Sequence, residues 1–283
     1  MAEIISGKEV SSAVRGEIAI EVAKLSERYG RAPGLAVIKV GDDPASAVYV
    51  RNKHKACLDV GIRSYQIELP KETSEDELLD KIDELNADDN VDGILVQLPL
   101  PKHISEESVI LRISPEKDVD AFHPENVGKI MTGNYTYLPC TPAGVIELLK
   151  YYRIGVEGKN CVVIGRSNIV GKPMSLLLLE SNGTVTVCHS RTQNLAQITK
   201  NADIIVVAIG RANFLTSDMV KDGAVVVDVG INRLDDGKLC GDVDFAEVEK
   251  KASYITPVPG GVGPMTITML LKNTLTAFKS HIK

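Results

Sequence analysis

The chain lacks the marks of several protein classes. Its 283 residues contain no apolar run long enough to cross a bilayer, and the start, MAEIISGKEV, does not read as a charged-then-apolar leader. We read that start as the entry to a capped helix of a cytoplasmic protein, with no membrane partner. Five cysteines, Cys57, Cys140, Cys161, Cys188 and Cys240, never fall in a C-x-x-C, and five histidines never take ligand spacing. No metal site is expected, and the thiols read as buried and reduced. A net charge of −6 removes any general attraction to nucleic acid or anionic membrane, so anions must be held by a few local positive groups. That points to a small ligand. There is no internal repeat and no low-complexity segment.

What is present is a regular alternation of strand and helix. LAVIKV (35–40), SYQIEL (64–69) and GILVQL (93–98) are short apolar strands, separated by a helix over 44–60 that Gly61 stops and one that Ser74 and Glu77 cap. Such spacing builds βαβ units around a parallel sheet. Prolines 99, 101, 115, 124 and 139 then break the pattern, as active-site loops do. From Thr141 the alternation resumes, with strands NCVVIG (160–165), TVTVC (184–188), DIIVVAIG (203–210) and AVVVDVG (224–230), and a last helix from about Met265. The fold class is α/β, with two α/β domains: residues 1–140 plus 265–283 form one, and 141–264 form a Rossmann-like second.

In the second domain the strand CVVIG runs into G-R-S-N-I-V-G-K-P, from Gly165 to Pro173. The dinucleotide fingerprint G-x-G-x-x-G is met without its middle glycine, since Ser167 stands there, but the turn lies where backbone N–H groups and a helix dipole receive a pyrophosphate. The next strand ends in Cys188-His189-Ser190-Arg191-Thr192, with no acid for a ribose 2′-hydroxyl. Ser190 and Arg191 can instead hold a 2′-phosphate, with Arg166 as a further cation, so NADP is favoured over NAD. An ordinary βα loop with a solvated arginine is the plain alternative.

In the first domain Tyr49 and Lys53 are one helical turn apart, a pairing that suits proton transfer and that also arises by chance on helices. Val96-Gln97-Leu98 closes the third strand, placing a polar amide at the carboxyl end of a parallel strand, where α/β sheets bind ligands. In PEKDVDAFHP (115–124), Asp118 and Asp120 alternate, so that one faces inward and the other away.

Taken together, YVRNK (49–53), DGILVQLPLP (92–101), PEKDVDAFHP (115–124), PCTPAG (139–144), GRSNIVGKP (165–173), DVGINR (228–233) and PVPGGVGPMT (257–266) resemble, in order, the bifunctional methylenetetrahydrofolate dehydrogenase/methenyltetrahydrofolate cyclohydrolase family. The resemblance implies an N-terminal folate-binding, catalytic domain and a C-terminal NADP-binding domain with a cleft between them, in a homodimer formed through the nucleotide-binding domains. It implies NADP-dependent oxidation of 5,10-methylenetetrahydrofolate and hydrolysis of the methenyl product to 10-formyltetrahydrofolate. It makes Lys53 the proton-handling lysine, Gln97 its partner, Tyr49 a folate contact and Asp120 the pterin anchor. Gly165, Arg166, Ser167, Ser190 and Ile231 are expected to line the NADP site. Pro259, Gly260, Gly261, Val262 and Gly263 are expected to form a stiff wall whose glycines let backbone approach both ligands. Where the family more commonly has KDVDG, this chain has Ala121. A short-chain oxidoreductase would carry its glycine turn ahead of the Tyr/Lys pair, the reverse of the order here. A non-catalytic NADP sensor would have no need of a proton-transfer lysine.

Overall fold

The computed structural model describes residues 1–282. The chain opens with the two-residue strand β1 (Glu3–Ile4) and the long helix α1 (Gly7–Tyr29), stopped by Gly30 at φ +73°. Next come β2 (Gly34–Val40), α2 (Pro44–Val60), β3 (Arg63–Leu69), α3 (Glu75–Ala87) and β4 (Gly93–Val96). The local chemistry explains their ends. Asp43 caps α2 by accepting from Ser46 N at 2.7 Å, Pro44 pre-sets its first turn, and Gly61 leaves it at φ +79°. Ser74 and Glu77 form the reciprocal capping box on α3.

The division into units does not follow the order of the chain. One unit comprises residues 13–138 and 267–283, and the other residues 1–12 and 139–266. The sequence assigned residues 1–140 to the first domain; the structure places the first twelve with the nucleotide-type sheet instead. The reason is β1, which pairs parallel with Tyr254 and Ile255 of that sheet and so ties the N-terminus to it by main-chain hydrogen bonds.

In the unit holding β2, β3 and β4, these strands form a parallel sheet in the order β3-β2-β4. All seven residues of β2 are buried, as a central parallel strand covered on both faces requires. Ala36, Ile38, Ile94 and Val96 pack there with Leu78 and Ile82 of α3 and Val109 of α4 (Glu106–Arg112). The short α5 (Pro124–Thr132) follows.

The other unit runs through α6 (Cys140–Tyr151), β5 (Asn160–Ile164), α7 (Gly171–Glu180), β6 (Thr184–Cys188), α8 (Leu195–Thr199), β7 (Ile204–Val207) and β8 (Val225–Asp228). A small hairpin, β9 (Asn232–Arg233) with β10 (Leu239–Cys240), precedes α9 (Phe245–Val248) and β11 (Tyr254–Ile255). The six-stranded parallel sheet has the order β1-β11-β8-β7-β5-β6. The closing helix α10 (Val262–His281) starts three residues before the predicted Met265, because Pro264 sits in its first turn, where a missing N–H costs nothing. Its later part belongs to the other unit, where Phe278 is fully buried, a burial worth roughly 2–3 kcal/mol. Among the described residues no helix is long and apolar enough to cross a membrane, and no group of acids, cysteines and histidines is disposed to hold a metal.

Candidate active site

In the three-stranded unit the polar residues gather at the carboxyl ends of β2 and β4. Gln97 follows β4 and its N–H continues the ladder by donating to Ile38 O at 2.8 Å. Its side chain then turns to α2: Lys53 Nζ donates to Gln97 Oε1 at 3.0 Å, while Gln97 Nε2 donates to Leu98 O at 2.7 Å. The second bond commits the amide nitrogen elsewhere and leaves the oxygen for the lysine. A neutral acceptor thus orients the Lys53 ammonium without adding a counter-charge of its own. Tyr49, one turn before Lys53, is exposed, and Val96 is buried.

Two aspartates of 115–124 divide their work as the alternation predicts. Asp118 is buried and accepts from His123 N at 2.8 Å and Asn126 Nδ2 at 2.9 Å, which folds the loop back on itself. Burial pushes its carboxyl above the usual carboxylate range against the pull of these donors. Asp120 is half-buried and lines a small cavity with Val96, Leu98 and Phe122. Between the two, Asn273 of α10 donates to Val119 O at 2.8 Å and to Leu138 O at 2.9 Å. No pattern in the sequence singled out this asparagine, since its partners lie more than a hundred residues away. Ala121 sits at φ +59°, a left-handed conformation that costs a residue with a Cβ roughly 1–2 kcal/mol and a glycine little.

In the six-stranded unit the glycine turn has the geometry that the fingerprint requires. Gly165 sits at φ +132°, and a Cβ there would lie 2.3 Å from Ala208 O. A Cβ on Gly171 would lie 2.3 Å from Gly165 O, so the start of α7 packs directly on the turn. Ser167 takes over the missing middle glycine by holding the turn: its Oγ accepts from Val170 N at 3.2 Å and Gly171 N at 3.3 Å.

Beside this turn a pocket of about 290 Å³ is lined by Gly165, Arg166, His189, Ser190, Leu195 and Ala208, and by Ile209, Arg211 and Phe214 of the loop after β7. It brings Gly165, Arg166 and Ser190 together as expected. Ser167 and Arg191 are not in its lining; Arg191 is exposed, with its N–H donating to His189 Nδ1 at 3.1 Å. The lining carries two arginines and no carboxylate, which fits a dinucleotide bearing an additional phosphate. Arg211 had no signal in the sequence, because its position depends on Asp242, fully buried and thirty-one residues on.

A second pocket of the same unit, about 200 Å³, is lined by Lys8, Ile231 and the stretch from Pro257 to Pro264, and so contains Pro259, Gly260, Gly261, Val262 and Gly263. Gly261 lines this pocket and is at the same time packed against its own loop. A Cβ there would lie 2.5 Å from Pro257 O and 2.8 Å from Thr256 Cβ, and Gly7 is packed so closely that its own Cβ would lie 1.6 Å from Gly261 O. Gly261 is therefore demanded by its own loop. Gly260 is at φ +107°, while a Cβ on Gly263 would meet only Ile231 Cδ1, at 3.8 Å.

Residues 5–120 match the family of the tetrahydrofolate dehydrogenase/cyclohydrolase catalytic domain, and residues 139–282 that of the tetrahydrofolate dehydrogenase/cyclohydrolase NAD(P)-binding domain. The chain is 59% identical over 282 residues to the bifunctional protein FolD of Acetivibrio thermocellus, covering 100% of this chain and 99% of that one. It is 60% identical over 279 residues to the Bacillus anthracis protein of the same name, covering 99% and 97%. Its fold superposes on the crystal structure of the bifunctional FolD methylenetetrahydrofolate dehydrogenase/cyclohydrolase from Campylobacter jejuni with a TM-score of 0.97, at 53% identity over 99% of each chain. For the Trypanosoma brucei dehydrogenase-cyclohydrolase, solved with NADP cofactor and inhibitor, the TM-score is 0.96 at 42% identity, over 100% of this chain and 99% of that one.

Proposed function

Since the chain belongs to the tetrahydrofolate dehydrogenase/cyclohydrolase family, we propose that it works as a bifunctional enzyme of one-carbon folate chemistry. It oxidises 5,10-methylenetetrahydrofolate to 5,10-methenyltetrahydrofolate with NADP⁺, and hydrolyses the methenyl product to 10-formyltetrahydrofolate. NADP⁺, when bound, supplies the hydride acceptor. The fit of this chain to it rests on Gly165 and Gly171, which leave main chain where a Cβ would stand, and on the acid-free pocket with Arg166 and Ser190. Ile231 and the stretch from Pro259 to Gly263 line the neighbouring pocket of the same unit.

Oxidation of a methylene bridge needs placement of two rings and no acid or base, whereas hydrolysis needs a proton moved. In hydrolysis water adds to the methenyl carbon, one proton leaves and a carbon–nitrogen bond of the bridge breaks. The observation that carries the assignment is Lys53 Nζ held at 3.0 Å by Gln97 Oε1, at the sheet edge where ligands bind. Lys53 holds and moves the proton at Nζ, Gln97 orients it, Tyr49 packs on the folate, and Asp120, beside Val96 and Leu98, accepts from the pterin N–H groups. The active protein is a cytoplasmic homodimer built through the nucleotide-binding units. Lys53→Met tests the assignment: methenyltetrahydrofolate hydrolysis is expected to vanish while NADP⁺ still binds, and surviving hydrolysis would remove Lys53 from the role.

A further inference from the structure

The loop after β7 carries a cation that the sequence pattern did not single out, and the main chain fixes where it stands. Asp242, fully buried, accepts from Ile209 N at 2.7 Å, Gly210 N at 3.0 Å and Arg211 N at 2.7 Å, and from Asn232 Nδ2 at 2.9 Å. One carboxylate thus gathers three consecutive amides by charge-assisted hydrogen bonds. The side chain is held as well: the Arg211 guanidinium carbon lies 4.9 Å from the centroid of the Phe214 ring. A guanidinium held over an aromatic ring is restrained while keeping N–H donors for hydrogen bonding. Arg211 and Phe214 line the same pocket as Arg166, His189 and Ser190, the last two at the carboxyl end of β6, where a dinucleotide fold places the adenosine ribose.

We infer that Arg211, in concert with Arg166, reads the ribose 2′-phosphate and sets the preference for NADP over NAD, with Asp242 as its positioning residue. The inference rests on the NADP reading above and moves the discriminating charge from Arg191, which lies outside the pocket lining, to a residue on a different strand's loop. Two planar cations around one phosphate provide charge-assisted, directional hydrogen bonds that a 2′-hydroxyl cannot use equally.

The test is calorimetric binding of NADP⁺ and NAD⁺ to the whole protein. Adenosine 2′,5′-bisphosphate and adenosine 5′-monophosphate serve as probes that carry and lack the 2′-phosphate. Arg211→Ala is expected to weaken NADP⁺ and the bisphosphate by roughly tenfold or more and to leave NAD⁺ and the monophosphate within about twofold. Arg211→Lys keeps the charge without the fork and is expected to fall between. Arg191→Ala is expected to change none of the four. Equal weakening of all four ligands by Arg211→Ala, or a selective loss of NADP⁺ in Arg191→Ala, would overturn the inference. A wild-type protein that binds NAD⁺ but not NADP⁺ would instead overturn the cofactor reading on which it rests.

Discussion

Replacing Gln97 by Ala removes the oxygen that holds Lys53 Nζ and leaves the backbone N–H that pairs with Ile38 O. The fold is therefore expected to survive while methenyltetrahydrofolate hydrolysis falls by about 10²–10⁴-fold, the usual worth of a positioned proton-transfer group. Unchanged hydrolysis in a stopped assay would show that Lys53 needs no such partner. A second residue-scale consequence concerns Asp228 at the end of β8. It accepts from Gly230 N, Asp242 N and Val243 N at 2.9–3.0 Å, yet burial outweighs these donors, and the nearby Asp242 adds to it, so the carboxyl is pushed up to about 6. Between the ordinary carboxylate value and pH 6 the folded protein then holds a proton that the unfolded chain has released. The contribution of this group to stability is full at low pH and is lost as pH rises through about 6. A carboxyl-carbon NMR titration of Asp228 is expected to show a midpoint near 6; a midpoint below 4 would contradict it.

At the scale of elements, the glycines of PVPGGVGPMT separate two kinds of demand. Gly261→Ala drives a methyl into Pro257 O and Thr256 and is expected to lower the melting temperature. Gly263→Ala has room and adds helix propensity in the first turn of α10, so it is expected to hold or raise that temperature. If Gly263 gives the folate or nicotinamide its space, kcat/KM in Gly263→Ala falls at least about tenfold despite the intact fold. Unaltered kcat/KM would place Gly263 outside the site. The regular elements were legible in the sequence because apolar runs, caps and glycine stops are local: Gly61 and the Ser74/Glu77 box stand where they were predicted. What escaped is non-local. Two exposed residues, Glu3 and Ile4, become a strand only because Tyr254 and Ile255 offer an edge, and Gly7 is required only because Gly261 lies against it. Arg211 enters the pocket beside the glycine turn only through Asp242, on the far side of a hairpin. That Gln97 partners Lys53 followed only from the family resemblance, since the two stand 44 residues apart on separate elements.

For the whole molecule, the six-stranded sheet ends in β6, where Val187 is 39% exposed on a strand with one neighbour in the sheet order. Such an edge is a template for pairing with a second copy. Light scattering is expected to give twice the 30.6 kDa chain mass, and Val187→Lys is expected to shift the population towards the single chain. A wild-type mass of one chain would remove the homodimer from the account. One chain performs both an NADP-dependent oxidation and a hydrolysis. The most direct measurement is a spectrophotometric assay of the purified protein with 5,10-methylenetetrahydrofolate and either NADP⁺ or NAD⁺, following reduced cofactor and methenyl absorbance together. NADPH is expected to appear faster than NADH, and methenyl absorbance to decay at an enzyme-dependent rate, a decay that Lys53→Met abolishes. Methenyl product that accumulates and decays no faster than in buffer, or NAD⁺ reduced as well as NADP⁺, would contradict this expectation.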